Sequence, residues 1–185
     1  MEPPGLSESS TQNLRSVVVV YDSFQPRWKD AFAELNRAWI THYFHLEPRD
    51  EMVLSDPEGQ ILSLGGEIYF ARLGERVVGT CALMPLGPDA WEIAKLAVDP
   101  SCQGRGIGRN LVSLCRDFAL EQGARLLVAR TNLKLSVSYH LLRGLGFQDL
   151  GPDPSGDYVR ESLLLQYPLT ADGSVAPLQA RSGST

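Results

Sequence analysis

Residues Leu96 to Arg109 read Leu-Ala-Val-Asp-Pro-Ser-Cys-Gln-Gly-Arg-Gly-Ile-Gly-Arg. A short apolar run stops at Asp99-Pro100 and a glycine-spaced loop follows. From Gly106 onward, Ile107, Leu111, Leu114, Cys115 and Phe118 recur at the spacing of one buried helical face. The stretch is therefore a strand, a loop and the start of a helix. Glycines at 104, 106 and 108 remove Cβ atoms where the backbone must turn or be approached closely. The first turn of the helix has amide donors with no intrahelical partner, and together with the helix dipole they favour an anion, most naturally a phosphate.

Gly104-Arg105-Gly106-Ile107-Gly108 also has half the spacing of a dinucleotide fingerprint. A Rossmann site places its glycines after the first strand of a βαβ unit, with an acidic residue about 20 positions later. Here the loop sits past the middle of the chain, and the strands before it read as antiparallel hairpin material, so the Rossmann reading is weak. Ser16 to Tyr21 is a β-branched first strand, and Pro26 to Tyr43 carries Trp28, Phe32, Leu35, Trp39 and Tyr43 at helical spacing. A second helical piece is expected from Pro48 to Leu54, ended by a turn at Asp56-Pro57-Glu58-Gly59. Gly66 to Ala71 and Arg76 to Met84 form a hairpin around Leu73-Gly74-Glu75, and a further strand begins at Trp91. Beyond the glycine loop and its helix, Gly123 supplies a stop and Arg125 to Arg130 is a central strand. Ser136 to Leu145 is a short helix, and Phe147 to Leu150 with Tyr158 to Gln166 makes a final pair of strands. The order predicts an α+β fold in which a mixed, mostly antiparallel sheet is flanked by helices.

Gln103-Gly104-Arg105-Gly106-Ile107-Gly108 resembles the Arg/Gln-x-x-Gly-x-Gly/Ala signature of the GNAT superfamily, the acyl-CoA-dependent N-acetyltransferases. Glu92 to Pro100 is similar to that family's fourth strand, and Gly146-Phe147 to the Gly-Phe pair ending its last motif. The resemblance covers residues 17 to 168. It implies a single-domain sheet of about seven strands whose fourth and fifth members splay apart to admit the pantetheine arm of acetyl-CoA. Residues 15–168 then form the domain, 1–14 a disordered leader and 169–185 a disordered tail.

The resemblance assigns roles by position. Backbone groups of Leu96, Ala97 and Val98 would hold the pantetheine as an added strand is held. The amides from Gln103 through Gly104, Arg105, Gly106, Ile107 and Gly108 to Arg109 would take the pyrophosphate, with Arg105 and Arg109 adding charge. Asn132 and Ser138 fall where the family contacts the cofactor. Glu92, six positions before Val98, is the expected base, its alternatives being a surface-facing strand carboxylate or an ion-pair partner of Lys95. The Val98 amide would meet the oxyanion. The family's thiolate acid, a tyrosine four residues before the glycine of Gly-Phe, is replaced by Leu142. Tyr139, one turn earlier, is the candidate acid, with a packing role as its alternative, and Tyr158 is a further candidate.

Composition narrows the rest. A net charge of -5 argues against a nucleic-acid partner, and the absence of any 18-residue apolar run argues against a membrane span. Met1 to Asn13 is polar, without the order of a secretory signal. Cys81, Cys102 and Cys115 have no metal-ligand spacing, nor do His42, His45 and His140, so no metal is expected and reduced thiols suit a cytoplasmic setting. Cys102 as a nucleophile is disfavoured because no histidine lies near it in sequence. The acceptor is expected to meet Tyr43 to Glu47 and the segment from Gly151 to Tyr158. The leading expectation is transfer of acetyl from acetyl-CoA to a primary amine of a small molecule or peptide by direct attack, by a monomer or homodimer. The alternative is a non-catalytic acyl-CoA-binding module. A different acyl group, such as succinyl or propionyl, stays open.

Overall fold

A computed structural model of the chain describes residues 18–160 and 162–170. The expected leader, residues 1–14, lies outside them, as does the tail beyond Thr170; Leu169, assigned to that tail from sequence, packs against the core. Seven strands form one sheet, β1 (Val19–Ser23), β2 (Glu67–Leu73), β3 (Arg76–Pro85), β4 (Ala90–Val98), β5 (Leu126–Thr131), β6 (Gln148–Pro152) and β7 (Leu163–Tyr167). Their spatial order is β1-β2-β3-β4-β5-β7-β6. Every neighbouring pair is antiparallel except β4 and β5. The helices are α1 (Lys29–Tyr43), α2 (Pro48–Ser55), α3 (Pro57–Gln60), α4 (Ile107–Glu121) and α5 (Ser136–Gly144).

Alternation along the strands sorts the core onto two faces. Ile68, Phe70 and Ala82 join Phe32 and Ile40 of α1 and Leu54 of α2. Ala71, Cys81, Leu83 and Ile93 join Ile107, Leu111 and Cys115 of α4 on the other face. Gly79 of β3 lets α4 lie flat on the sheet, because a Cβ there would stand 3.0 Å from Ile107 Cγ2 and 3.1 Å from Leu111 Cδ1.

Three expectations need correction. The stretch from Asp56 to Gly59 is not only a turn: the Asp56 side chain accepts from the Gly59 amide at 3.0 Å and starts the one-turn helix α3. Pro26 to Trp28 is a tighter 3-10 turn that precedes α1. Tyr158 to Arg160 is not strand; the amides of Val159 and Arg160 donate to the Glu47 carboxylate at 2.8 and 3.1 Å, and this holds the segment off the sheet.

Two irregularities of β4 shape everything that follows. Thr80 pairs with Ala97 and Ala82 with Ala94, so Lys95 and Leu96 together oppose Cys81 in a β-bulge, and Lys95 takes φ +51°. The parallel pairing with β5 runs from Ala90–Leu126 to Ile93–Ala129 and stops there, so the two strands part. Substituting Gly79 by Val is expected to lower unfolding free energy by about 1–3 kcal/mol through overpacking under α4. Urea denaturation monitored by circular dichroism checks this.

Candidate active site

The gap between β4 and β5 opens into two cavities. One, of about 280 Å³, runs beside the glycine loop and is lined by Val98, Gln103, Gly106, Gly108 and Leu141 among others. The second, of about 130 Å³, lies over the bulge, with Glu92, Lys95, Arg130, Leu142 and Tyr158 in its walls. Trp39, Leu96 and Ser138 line both, so the two cavities meet at those side chains.

The glycine loop is built as its sequence demands. Gly104 and Gly106 adopt φ +74° and +77°, a left-handed conformation that other residues enter only with strain. Gly106 is the cap residue of α4, so the unpaired amides of that helix's first turn open from the loop. Gly108 serves a different purpose: a Cβ there would stand 3.1 Å from Leu141 Cδ1, so its absence admits α5. Arg105 is exposed, whereas Arg109 reaches sideways to the Gly144 carbonyl at 3.5 Å, at the end of α5.

The edge of β4 points into the gap by alternation. Asp99 N donates to Val78 O at 2.8 Å, so the backbone groups of Val98, one residue earlier, face away from β3. The Gln103 side-chain amide donates to the Val98 carbonyl at 3.2 Å. Ala97 is buried in its pairing with β3. At the end of β5, Asn132 Oδ1 accepts from Lys134 N at 2.8 Å, and Asn132 lines the smaller cavity.

Glu92 is buried, and its partner differs from the one its sequence neighbourhood suggested. Its Oε2 lies 2.7 Å from Arg130 Nη1, while Lys95 Nζ donates to Asp50 Oδ1 of α2 at 2.7 Å. Residues three apart on a regular strand face opposite ways; the bulge brings Lys95 to the face of Glu92, where both line the smaller cavity and each is held by a different counter-ion. Arg130 Nε donates onward to Asp153 at 2.8 Å. Burial pulls the Arg130 guanidinium down, but the Glu92 and Asp153 carboxylates outweigh it and raise the value. Burial pushes Asp153 up, yet hydrogen bonds from Ser155 and the charge of Arg130 leave it below the usual carboxylate range.

A second charged group braces the same cavity. Asp50, fully buried, accepts from Arg160 at 2.7 and 3.0 Å as well as from Lys95. Burial again acts upward and is outweighed by those partners, so its carboxyl titrates below the ordinary range. The Arg160 guanidinium stands 4.2 Å from the centre of the Tyr158 ring. None of Asp50, Arg160 and Arg130 was singled out from sequence. The capping box that joins Glu47 and Asp50 at the start of α2 was the readable trace of the first of them.

Tyr139, the acid candidate, lines neither cavity; its hydroxyl donates to Asp149 at 2.9 Å and its ring packs against the core. Leu142 does line the smaller cavity. Of the expected acceptor region, Phe44 and Tyr158 reach that cavity, Glu47 braces it, and Tyr43 faces a wider outer groove that continues past Trp39. Cys102 is buried at the loop, its thiol 3.6 Å from Ser101 Oγ. Among the described residues no group of three or more His, Cys, Asp or Glu side chains is placed to hold a metal ion, and no helix is long and apolar enough to cross a membrane.

Residues 21–147 match the acetyltransferase (GNAT) family. The chain belongs to that family. A GNAT acetyltransferase structure from Staphylococcus aureus superposes with a TM-score of 0.72 at 17% identity, covering 80% of this chain and 98% of that one. A GNAT phosphinothricin acetyltransferase from Sinorhizobium meliloti, solved in complex with acetyl-CoA, gives 0.66 at 18% identity over 80% of this chain and 86% of that one. In sequence, the N-alpha-acetyltransferase RimI of Mycobacterium tuberculosis is 39% identical over 84 residues, 44% of this chain and 51% of the relative. The chain spans about half or less of the length of the curated relatives it matches.

Replacing Asp50 by Ala leaves Lys95 and Arg160 without their buried counter-ion. It is expected to cost about 3–5 kcal/mol in urea unfolding. The depressed carboxyls of Asp50 and Asp153 add stability that is complete above the unfolded value near 3.9 and is lost as pH falls through the lower folded values. Unfolding free energy should therefore hold level from about pH 7 to 5 and drop below about pH 4, with a shallower drop in Asp50→Asn.

Proposed function

We propose that this chain transfers the acetyl group of acetyl-CoA to a primary amine of a small molecule or a peptide by direct attack. One observation carries the reading: where β4 and β5 part, a groove that starts at the glycine loop and the unpaired amides of α4 runs into a second cavity holding a buried carboxylate, Glu92.

The chain's own groups fit that ligand. The amides from Gln103 to Arg109 would take the pyrophosphate, most of the binding coming from the backbone. Val98, with Leu96 and Ala97 beside it, offers its strand edge to the pantetheine amides. The Gln103 bond to the Val98 carbonyl marks where such an amide would donate. When bound, acetyl-CoA supplies an activated thioester carbonyl. The junction at Trp39, Leu96 and Ser138 is where that carbonyl would meet an amine entering from the smaller cavity.

Arg130 fixes the rotamer of Glu92, and the carboxylate takes the amine's proton directly or through a water. The Val98 amide stabilises the oxygen that gains charge as the amine adds. Thr131, whose buried Oγ1 has no protein hydrogen-bond partner, is part of the cavity wall. The small, largely apolar cavity suits an unbranched or small acceptor end. The similarity to an N-alpha-acetyltransferase makes peptide α-amines a first class to test. The setting proposed for this activity is cytoplasmic, with a monomer or homodimer as the working unit.

A second reading, an acyl-CoA-binding module without catalysis, is favoured by Leu142 in the cavity wall where the family's acid stands. Calorimetric titration with acetyl-CoA and with NADH tests the groove; binding of acetyl-CoA and not of NADH is expected. CoA release is then followed with an alanyl tetrapeptide, an N-blocked lysyl peptide and a free amino acid as acceptors. Glu92→Gln is expected to lower kcat about 10²- to 10⁴-fold with acetyl-CoA affinity retained. Binding without release on any acceptor would instead support the module.

A further inference from the structure

The proton delivered to the departing thiolate has no donor at the family's usual position, because residue 142 is a leucine. Its neighbour Tyr139 is bonded to Asp149 and lines neither cavity. The other phenol expected from sequence, Tyr158, does line the cavity that Leu142 lines. Its hydroxyl lies 3.5 Å from Lys95 Nζ, and both residues line the cavity that holds Glu92 and opens to the glycine-loop cavity at Trp39, Leu96 and Ser138.

From these positions we infer that Tyr158, carried on the loop before β7, is the acid that protonates the leaving sulfur. The inference rests on the acetyl-transfer reading above. As the amine's C–N bond forms and the C–S bond breaks, the C–S electron pair goes to sulfur and Tyr158 gives its phenolic proton to that sulfur. The proton lost by the amine returns to the phenolate oxygen through Glu92 and solvent, so no proton is gained or lost over the cycle. The charge left on the Tyr158 oxygen meets Lys95 from β4. Around the ring stand Arg160 at 4.2 Å on the same loop and Arg49 of α2 at 5.7 Å. Asp50 and Asp157 anchor those cations: Asp50 holds Lys95 and Arg160, and Asp157 lies 3.0 Å from Arg49. The cations therefore stay in place as the oxygen's charge changes. Other hydroxyls in the cavity wall, those of Thr131, Ser138 and Ser162, are aliphatic alcohols and far weaker acids than a phenol.

The position of Tyr158 also follows from why the segment left the sheet. Were residues 158–160 part of β7, Tyr158 would sit in the strand ladder; the Glu47 carboxylate instead holds the backbone of Val159 and Arg160 over α2. With Leu142 at the helix position, the loop folded over the cavity is what brings a phenol to its wall.

The test uses the full chain and two readouts. At about pH 9, where part of the free CoA thiol is ionised, calorimetric titration compares CoA with desulfo-CoA, which lacks the sulfur. The wild-type chain is expected to bind CoA about tenfold more tightly than desulfo-CoA, and Tyr158→Phe to bind the two alike. With acetyl-CoA and the best of the three acceptors above, or with water as acceptor in slow hydrolysis, Tyr158→Phe should lose about 10²-fold in kcat at unchanged KM for acetyl-CoA. Leu142→Tyr in the Tyr158→Phe background should restore much of that loss by returning a phenol to the helix. Equal CoA preference and equal kcat in Tyr158→Phe would overturn the assignment while leaving acetyl transfer intact. Failure of the wild-type chain to bind either CoA compound would overturn both. Loss of kcat in Lys95→Met but not in Tyr158→Phe would move the role to the lysine and also overturn it.

Discussion

A single buried carboxylate, Asp50, ties together the three segments that shape the site. It receives Lys95 from the β4 bulge and Arg160 from the loop before β7, and it sits in the capping box that starts α2. A charge taken fully out of water is unfavourable unless partners satisfy it, and here four hydrogen bonds do so. The arrangement is self-enforcing: each cation holds a different piece of backbone, so the carboxylate is satisfied only when all three pieces are docked. The Lys95 backbone, at φ +51°, lies in a region that costs a non-glycine residue of order 1 kcal/mol or more, and its ion pair with Asp50 offsets that strain.

The second charged group repeats the logic on the other wall. Arg130 at the end of β5 contacts Glu92 on one side and Asp153 on the other, with Asp157 at 3.8 Å, and so bridges the strand that carries the proposed base and the loop that covers it. The cavity is framed by ion pairs and lined in large part by apolar side chains. Such a frame is rigid in geometry, since each guanidinium forks to fixed partners. Charge attraction here acts less as stabilisation than as placement, the use for which buried ion pairs are best suited.

The glycine loop, the apolar strand before it and the helix after it were legible because their constraints are local: φ > 0 at Gly104 and Gly106, a cap at Gly106, and a 3.6-residue period beyond. The mostly antiparallel pairing followed from element order, and the parting of β4 from β5 from the resemblance to the GNAT family. The charge partners were not legible, because Asp50 and Arg160 are 110 residues apart and only the folded chain shows which acid faces which base. The pairing of Glu92 with Lys95 failed because each is taken by a partner distant in sequence, Arg130 of β5 for Glu92 and Asp50 of α2 for Lys95. Tyr158 to Arg160 reads as strand by its alternation, and the Glu47 carboxylate overrides that pattern. Tyr139 shares a helix with the position it was to replace, yet its hydroxyl turns to β6.

The parting of β4 and β5 leaves a bare strand edge in the middle of a sheet, and bare edges are templates on which a second polypeptide can pair. Outer edges of sheets are commonly protected by charges or prolines; this inner one is protected by enclosure. α1 and α5 wall it through Trp39 and Ser138, and Gln103 caps the Val98 carbonyl with its own amide. The opening admits a slim chain that brings its own amides and a phosphate to fit the glycine loop, and it shuts out another β-strand. The same few ångströms of separation thus decide both what the opened sheet can admit and what it turns away.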